Sequence, residues 1–197
     1  MSSASKYLIQ CGVQTQSLPG SWGNAAPADW RRATRIQLFA TRSYVHTSVG
    51  FLYLAVVLDL ATRLVVGWSM ATHMEVSLVD EALTNAPACR DPEPGMIHHS
   101  DRGSVYTSSD YQKRLKDHSL TPSMSGKGDC WDNAVMESFF GSYKQECAHR
   151  ERWSSLGEAR LRTADYIESF YNQHRLHSAL DLRTPVEVDM ASRAMNA

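Results

Sequence analysis

An α/β fold, a mixed sheet flanked by helices, is what this 197-residue sequence predicts. Three features carry that expectation. Three strand-like runs follow one another with turn-sized links, a helical period then leads to a fourth short apolar run, and helical periods dominate the rest of the chain. Sequential strands joined by short links form an antiparallel meander, whereas a strand reached through a helical crossover lies parallel to a neighbour. Helices and a sheet within one chain of this size pack in layers around a core.

Taken in order, Gln37 to Val45 forms the first expected strand, and Phe51 to Leu58, eight aromatic, branched or otherwise apolar residues, the second. Leu64 to Met70 is the third. Ser48-Val49-Gly50 and Asp59-Leu60-Ala61-Thr62 supply the turns between them. From Glu75 onward, Val76, Val79, Leu83 and Ala86 fall on one helical stripe, which Pro87 should end. Met96 to His99 is the fourth strand. A helix over Asp110 to His118, a short strand near Leu120 to Met124 and a helix opening around Asp132 follow. The last helix is announced by Ser155 with Glu158 three residues on, a capping box, and continues through Leu161, Ala164, Ile167 and Tyr171, with Pro185 beyond its end. Residues 1 to about 35, rich in Ser, Gln, Gly, Ala and Pro, read as a poorly ordered leader.

Composition excludes several classes of function. With 43% hydrophobic and 21% charged residues the chain is neither disordered, collagen-like nor a coiled coil. A net charge of −1 gives no broad basic surface, so any nucleic-acid contact must be local. The eight-residue run from Phe51 is far short of the roughly 18 to 20 residues that a membrane helix needs, and the N-terminus has no secretory apolar core; a cytoplasmic protein with no membrane partner is expected. Cys11, Cys89, Cys130 and Cys147 are scattered, without zinc-knuckle spacing, and are expected to be reduced thiols.

One segment is well placed for chemistry. Ile97-His98-His99-Ser100-Asp101-Arg102-Gly103 puts a carboxylate straight after a short buried strand, where open sheets present their ligand-binding ends. Glu137 follows after an interval of 35 residues, inside the helix expected from Asp132. Magnesium is held by one or two carboxylates together with substrate phosphates, so two such groups converging suffice to begin a site. By spacing alone, a turn role for Asp101 and a solvated helix face for Glu137 stay open.

Four ordered motifs narrow this: YLAVVLDLATRLVVGW (53–68), HHSDRGSVYTS (98–108), SMSGKGDCWDNAVMESFFGSYKQE (123–146) and YIESFYNQHRLHSAL (166–180). Together they resemble the catalytic subunit of bacterial insertion-sequence transposases with a retroviral-integrase-type core, over about residues 43 to 187. The resemblance implies a ribonuclease-H-like fold in which three antiparallel strands and further parallel strands form the sheet, with a core domain over residues 36–190 and a tail over 191–197. It also implies DNA, both transposon ends and target, as partner; self-association into a homo-oligomer; and two Mg²⁺ or Mn²⁺ ions held by an Asp, Asp, Glu triad.

Carried over residue by residue, Asp101 matches the second acid and Glu137 the third. The first acid stands nine residues before the glycine that precedes the second strand, and here that position is Thr41, with Leu38 where the family has tryptophan. A neutral hydroxyl is a poor substitute for an anionic bridging ligand. Asp59 matches a turn position, and Asp29 would need a register slip. Upstream of Thr41 the match fades and the helix-turn-helix segment such elements use is absent, so a disturbed start is expected, with a separate subunit reading the DNA ends. Asn133, Glu137 and Lys144 share one helix face, on which the resemblance implies that Asn133 contacts a base or phosphate and Lys144 a phosphate. Lys127, in a Gly-flanked loop, can bring an ammonium to a phosphate or be merely solvated. Of His98 and His99, one is expected packed and one near the site. Trp131 is expected to staple the loop. Asn172, Arg175 and His177 suit either DNA contacts or tying the terminal helix to the sheet.

Overall fold

The computed structural model describes residues 37–86, 96–100, 103, 105–124, 134–150 and 152–196, with the backbone alone for 37–43, 195 and 196. Strands β1 (Gln37–Thr47), β2 (Gly50–Asp59) and β3 (Val65–Ala71) form the expected meander. The β1–β2 turn closes on Gly50, whose φ of +139° is a conformation open chiefly to glycine. Helix α1 (Val76–Asn85) then crosses over to β4 (Ile97–Ser100). Helix α2 (Ser109–Asp117), capped by the Ser108 hydroxyl, leads to β5 (Thr121–Met124). The sheet order is β3-β2-β1-β4-β5, with β1 parallel to β4 and β4 parallel to β5.

Helix α3 (Ala134–Tyr143) runs on into a π-helical segment, Lys144–Ala148. Helix α4 (Leu156–Ala164) does the same through Asp165–Tyr171. As expected, Ser155 caps α4 by accepting the Glu158 amide hydrogen bond, and the Glu158 carboxylate accepts from Ser154. A further helix, α5 (Pro185–Asn196), crosses the boundary drawn at residue 190. It opens on its own reciprocal cap, in which Thr184 N–H donates to the Glu187 carboxylate and Glu187 N–H to the Thr184 hydroxyl.

Strand β2 is buried on both faces, which is why it reads as a continuous apolar run. On one face Ala55 and Val57 pack against Leu78, Val79, Ala82 and Leu83 of α1 and Tyr111 and Leu115 of α2. On the other, Leu52, Leu54, Val56 and Leu58, with Val45 of β1, pack against Met136, Phe139, Phe140 and Tyr143 of α3 and Ala159, Ile167 and Tyr171 of the last long helix. Leu161 departs from its expected place in that stripe and is 74% exposed; Ala159, Thr163, Tyr166 and Ile167 carry the contact instead. Leu161 stands in the regular part of α4, two residues from both Ala159 and Thr163, which at 3.6 residues per turn places it on the opposite, solvent side.

Asn172 is a structural clamp. Its carboxamide accepts from Val65 N–H and donates to Val65 C=O, 3.0 Å each, occupying both backbone groups of that residue on the outermost strand. Truncation leaves a buried donor and acceptor unpaired, so Asn172→Ala is expected to cost about 2–3 kcal/mol, read from urea unfolding. A value within about 0.5 kcal/mol of the parent, the range of ordinary surface changes, would show that water replaces the clamp.

Candidate active site

The site is built where β1 and β4 run side by side. Their register pairs Gln37 with Ile97, Leu38 with His98, Phe39 with His99 and Ala40 with Ser100. Thr41 is the next residue of β1, and Ser100 directly precedes Asp101 in the chain. Across the other edge of β1, Thr41 pairs with Val56 and Val45 with Leu52. Because strand residues alternate faces, the register sets position 41 on the face of Val45 and Val56, the one that α3 covers. Asp101, Lys127, Asn133, Trp131 and Asp29 lie outside the described residues.

Glu137 stands in the first turn of α3, exposed, and makes no hydrogen bond or ion pair among the described residues. Its helix is held down by Met136, Phe139, Phe140 and Tyr143, all buried, so its backbone position is fixed while its carboxylate stays available. Lys144 opens the π-helical segment, its ammonium 5.8 Å from the centre of the Tyr44 ring. Asp59, the alternative acid, is fully buried in its turn, accepting from Ala61 N–H and the Thr62 hydroxyl, the bonds of a turn-forming aspartate.

The histidines alternate across β4, and both are buried rather than one alone. His98 lies in the α1–α2 layer, 2.6 Å from the Tyr111 hydroxyl through Nε2, and burial together with neighbouring His99 pushes its pKa down to about 3. His99, on the face of Phe39, places Nδ1 3.0 Å from the Ser123 hydroxyl. A histidine whose folded pKa is depressed takes up protons in the unfolded chain first, so stability is lost as pH falls from about 6.5 towards 3. The parent should therefore show a steeper fall in stability over that window than His98→Gln. Equal slopes for the two proteins, in urea melts at a series of pH values, would remove His98 from the acid response.

The last motif ties the helices together. The Arg175 guanidinium donates from Nε to both oxygens of Glu146 (2.9 and 3.0 Å) and from Nη2 to Ser142, while the Tyr166 hydroxyl donates to Glu146 at 2.8 Å. Burial alone would push the Glu146 carboxyl up, but these donors bring it net below the ordinary range. His177, edge-on to Tyr171, has its pKa lowered to about 4 by burial and by Arg175. Arg175 thus joins α3 and its π-helical extension to the segment after the last long helix, a tie between helices rather than to the sheet, while His177 packs on Tyr171. Nothing local in the sequence singles out Glu146, since its partner lies 29 residues on. The exposed trio Tyr44, His46 and Phe51 also goes unread, although strand alternation and the turn at 48–49 bring those three positions together.

A meander of three strands extended by two parallel strands, with helices on both faces, defines a ribonuclease-H-like core. Integrase core domain models match residues 33–130 and 118–185. The transposase for insertion sequence element IS904 of Lactococcus lactis subsp. lactis is 42% identical over 147 residues, spanning 75% of this chain and 58% of that protein. Transposase InsF for insertion sequence IS3A of Escherichia coli is 48% identical over 136 residues, 69% of this chain and 47% of that one. Among solved structures, the simian T-cell lymphotropic virus intasome in complex with PP2A regulatory subunit B56 gamma aligns with a TM-score of 0.63 at 12% identity, covering 91% of this chain and 59% of that one. The HTLV-2 integrase catalytic core domain in complex with magnesium gives 0.54 at 14% identity, covering 77% and 94%. These structural likenesses speak for the fold. The chain belongs to the integrase core family, and its core is similar to that of the insertion-sequence transposases. It spans about half the length of the curated relatives it matches. Among the described residues no helix is long and apolar enough to cross a membrane.

Proposed function

We propose that this chain is the core of an insertion-sequence transposase, a fold that serves DNA transposition by polynucleotidyl transfer, and that with Thr41 at the first acidic position it performs little strand transfer itself. The observation that carries this reading is the β1–β4 register, which brings Thr41 next after the Ala40–Ser100 pair, beside the strand end that leads into Asp101. Glu137 fits the same place. Lys144 meets Tyr44, and the chain after α3 reaches Thr47 through Trp153, so the end of α3 is tied to β1. This supports a reading in which Glu137, about 10.5 Å along the helix from Lys144, belongs to the same site as position 41.

The relative solved with magnesium suggests divalent-metal dependence for the family's chemistry. The donors in this chain suit one such ion better than two. Asp101 and Glu137 supply two carboxylates, Glu137 being exposed and without a partner among the described residues, but the third position is a hydroxyl. Among the described residues no three His, Cys, Asp or Glu side chains cluster. When bound, Mg²⁺ or Mn²⁺ would polarise a phosphodiester and favour attack by water or a DNA 3′-hydroxyl. The chain's own residues do the rest in this reading: Glu137 and Asp101 supply negative charge for the ion, and Lys144 is the cation for a DNA phosphate, with Asn133 a further candidate contact and Lys127 either another or merely solvated. Transposon ends and target DNA are the partners this supports, with a second copy of the chain and a separate helix-turn-helix subunit completing the assembly.

The threonine favours a second reading, a remnant that binds DNA or a transposase subunit without chemistry. Both readings expect DNA binding with negligible joining of the element's own terminal repeat in Mg²⁺. Robust joining by the parent, abolished by Glu137→Gln, would overturn the claim of low activity and leave Thr41 a tolerated ligand position.

A further inference from the structure

On β1, no β4 partner follows Ala40 among the described residues, and the second half of the strand carries an aromatic cluster in solvent. Tyr44 is 55% exposed and Phe51 50%, and His46 beside them is exposed too. The ring centres lie 5.5 Å apart for Tyr44–His46, 6.1 Å for Tyr44–Phe51 and 4.4 Å for His46–Phe51. Strand geometry explains the grouping, since positions 44 and 46 share a face and His46 is the cross-strand partner of Phe51. No core residue requires these rings, which lie outside both buried clusters. Lys144 stands over Tyr44 from the π-helical segment after α3, the helix that carries Glu137. Aromatic rings in water beside a fixed ammonium are the two parts of a single-stranded nucleic-acid platform, the rings for base faces and the cation for the adjoining phosphate.

We propose that Tyr44, His46 and Phe51 form a stacking platform for an unpaired base of the DNA whose backbone Lys144 neutralises, so that this protein favours frayed or single-stranded ends over intact duplex. The occupant is a nucleobase rather than a protein because the patch is short and edged by the Lys144 ammonium. The inference rests on the DNA-binding reading above. It adds a preference that this reading alone does not require.

The test uses the full chain and fluorescence anisotropy with three DNAs: a blunt duplex, the same duplex with a short single-stranded overhang, and that overhang made abasic. The parent should bind the base-bearing overhang more tightly than the other two. Phe51→Ala and Tyr44→Ala should each erase that preference, a loss of roughly 5- to 150-fold for one stacked base, while leaving blunt-duplex affinity unchanged. Phe51→Trp should restore it, which separates stacking from misfolding; Lys144→Gln should weaken all three DNAs alike. Three results would overturn the platform: equal binding of the three DNAs by the parent, alanine variants that weaken blunt and overhang DNA equally, or self-association that Phe51→Ala abolishes. In the first two the DNA-binding reading survives, whereas failure to bind any of the DNAs defeats both.

Discussion

Gly67→Ala destabilises the fold by about 3 kcal/mol and lowers Tm by roughly 10 °C, the largest effect expected of a methyl group added at any of the described helix and strand glycines. A Cβ at position 67 would stand 2.2 Å from the Ala82 carbonyl oxygen and 2.9 Å from the Ala86 amide nitrogen. Those atoms are backbone of α1 and its cap, so no rotamer change relieves the clash. The helix cannot retreat cheaply either, because Leu78, Val79, Ala82 and Leu83 seat it on β2 and β3. Gly141→Ala is the control. It lies within α3 with nothing inside 4 Å of its added Cβ, and should gain about 0.5–1 kcal/mol from the lower entropy of the unfolded chain. Thermal melts of both variants decide the matter: a Gly67→Ala protein melting within a degree or two of the parent would mean that α1 does not sit on β3 as described.

That contrast marks where the sequence stops being readable. Strand β2 was legible because burial on both faces leaves no polar position to interrupt it. Helix α4 was legible because Ser155 and Glu158 cap it through local bonds. The same signature stands in Thr184-Pro185-Val186-Glu187, where proline suits the first helical position, so α5 was written in the sequence even though Pro185 reads first as a stop. Features made by distant partners were not legible. Asn172 binds Val65 across 107 residues and Arg175 binds Glu146 across 29, and no local pattern names either partner. Leu161 went astray because the small Ala159 and the polar Thr163, not the most apolar residues, carry the buried stripe of α4. At the candidate site, residue identities came from motif resemblance, and the strand register adds only that position 41 lies one step beyond the Ala40–Ser100 pair; spacing alone could not have excluded Asp59, whose turn bonds account for it.

Thr41→Asp should convert this chain from a poor metal binder into a good one, and raise joining of the element's terminal repeat by two orders of magnitude or more, on the order of what a positioned catalytic group contributes. The register sets position 41 one step beyond Ala40–Ser100, on the strand beside the one that leads into Asp101, and under the proposed reading the new carboxylate completes the set that Asp101 and Glu137 begin. Without metal, three acids repel one another and the variant should be slightly less stable than the parent. A divalent ion relieves that repulsion, and because it binds only the folded chain it stabilises by linkage, about 2.7 kcal/mol at a hundredfold excess over Kd. For a chain of this length that is roughly 5–10 °C in Tm. Melts of parent and variant with and without Mg²⁺ give the first readout, and strand-transfer assays the second, with Glu137→Gln on the Asp background expected to erase both gains. An Mg²⁺-induced shift no larger than the parent's would mean that position 41 is not where the first acid belongs. A large shift without joining would mean that the missing carboxylate is not the sole lesion, and that the second reading, a core that binds without chemistry, holds for this chain even when its acids are complete.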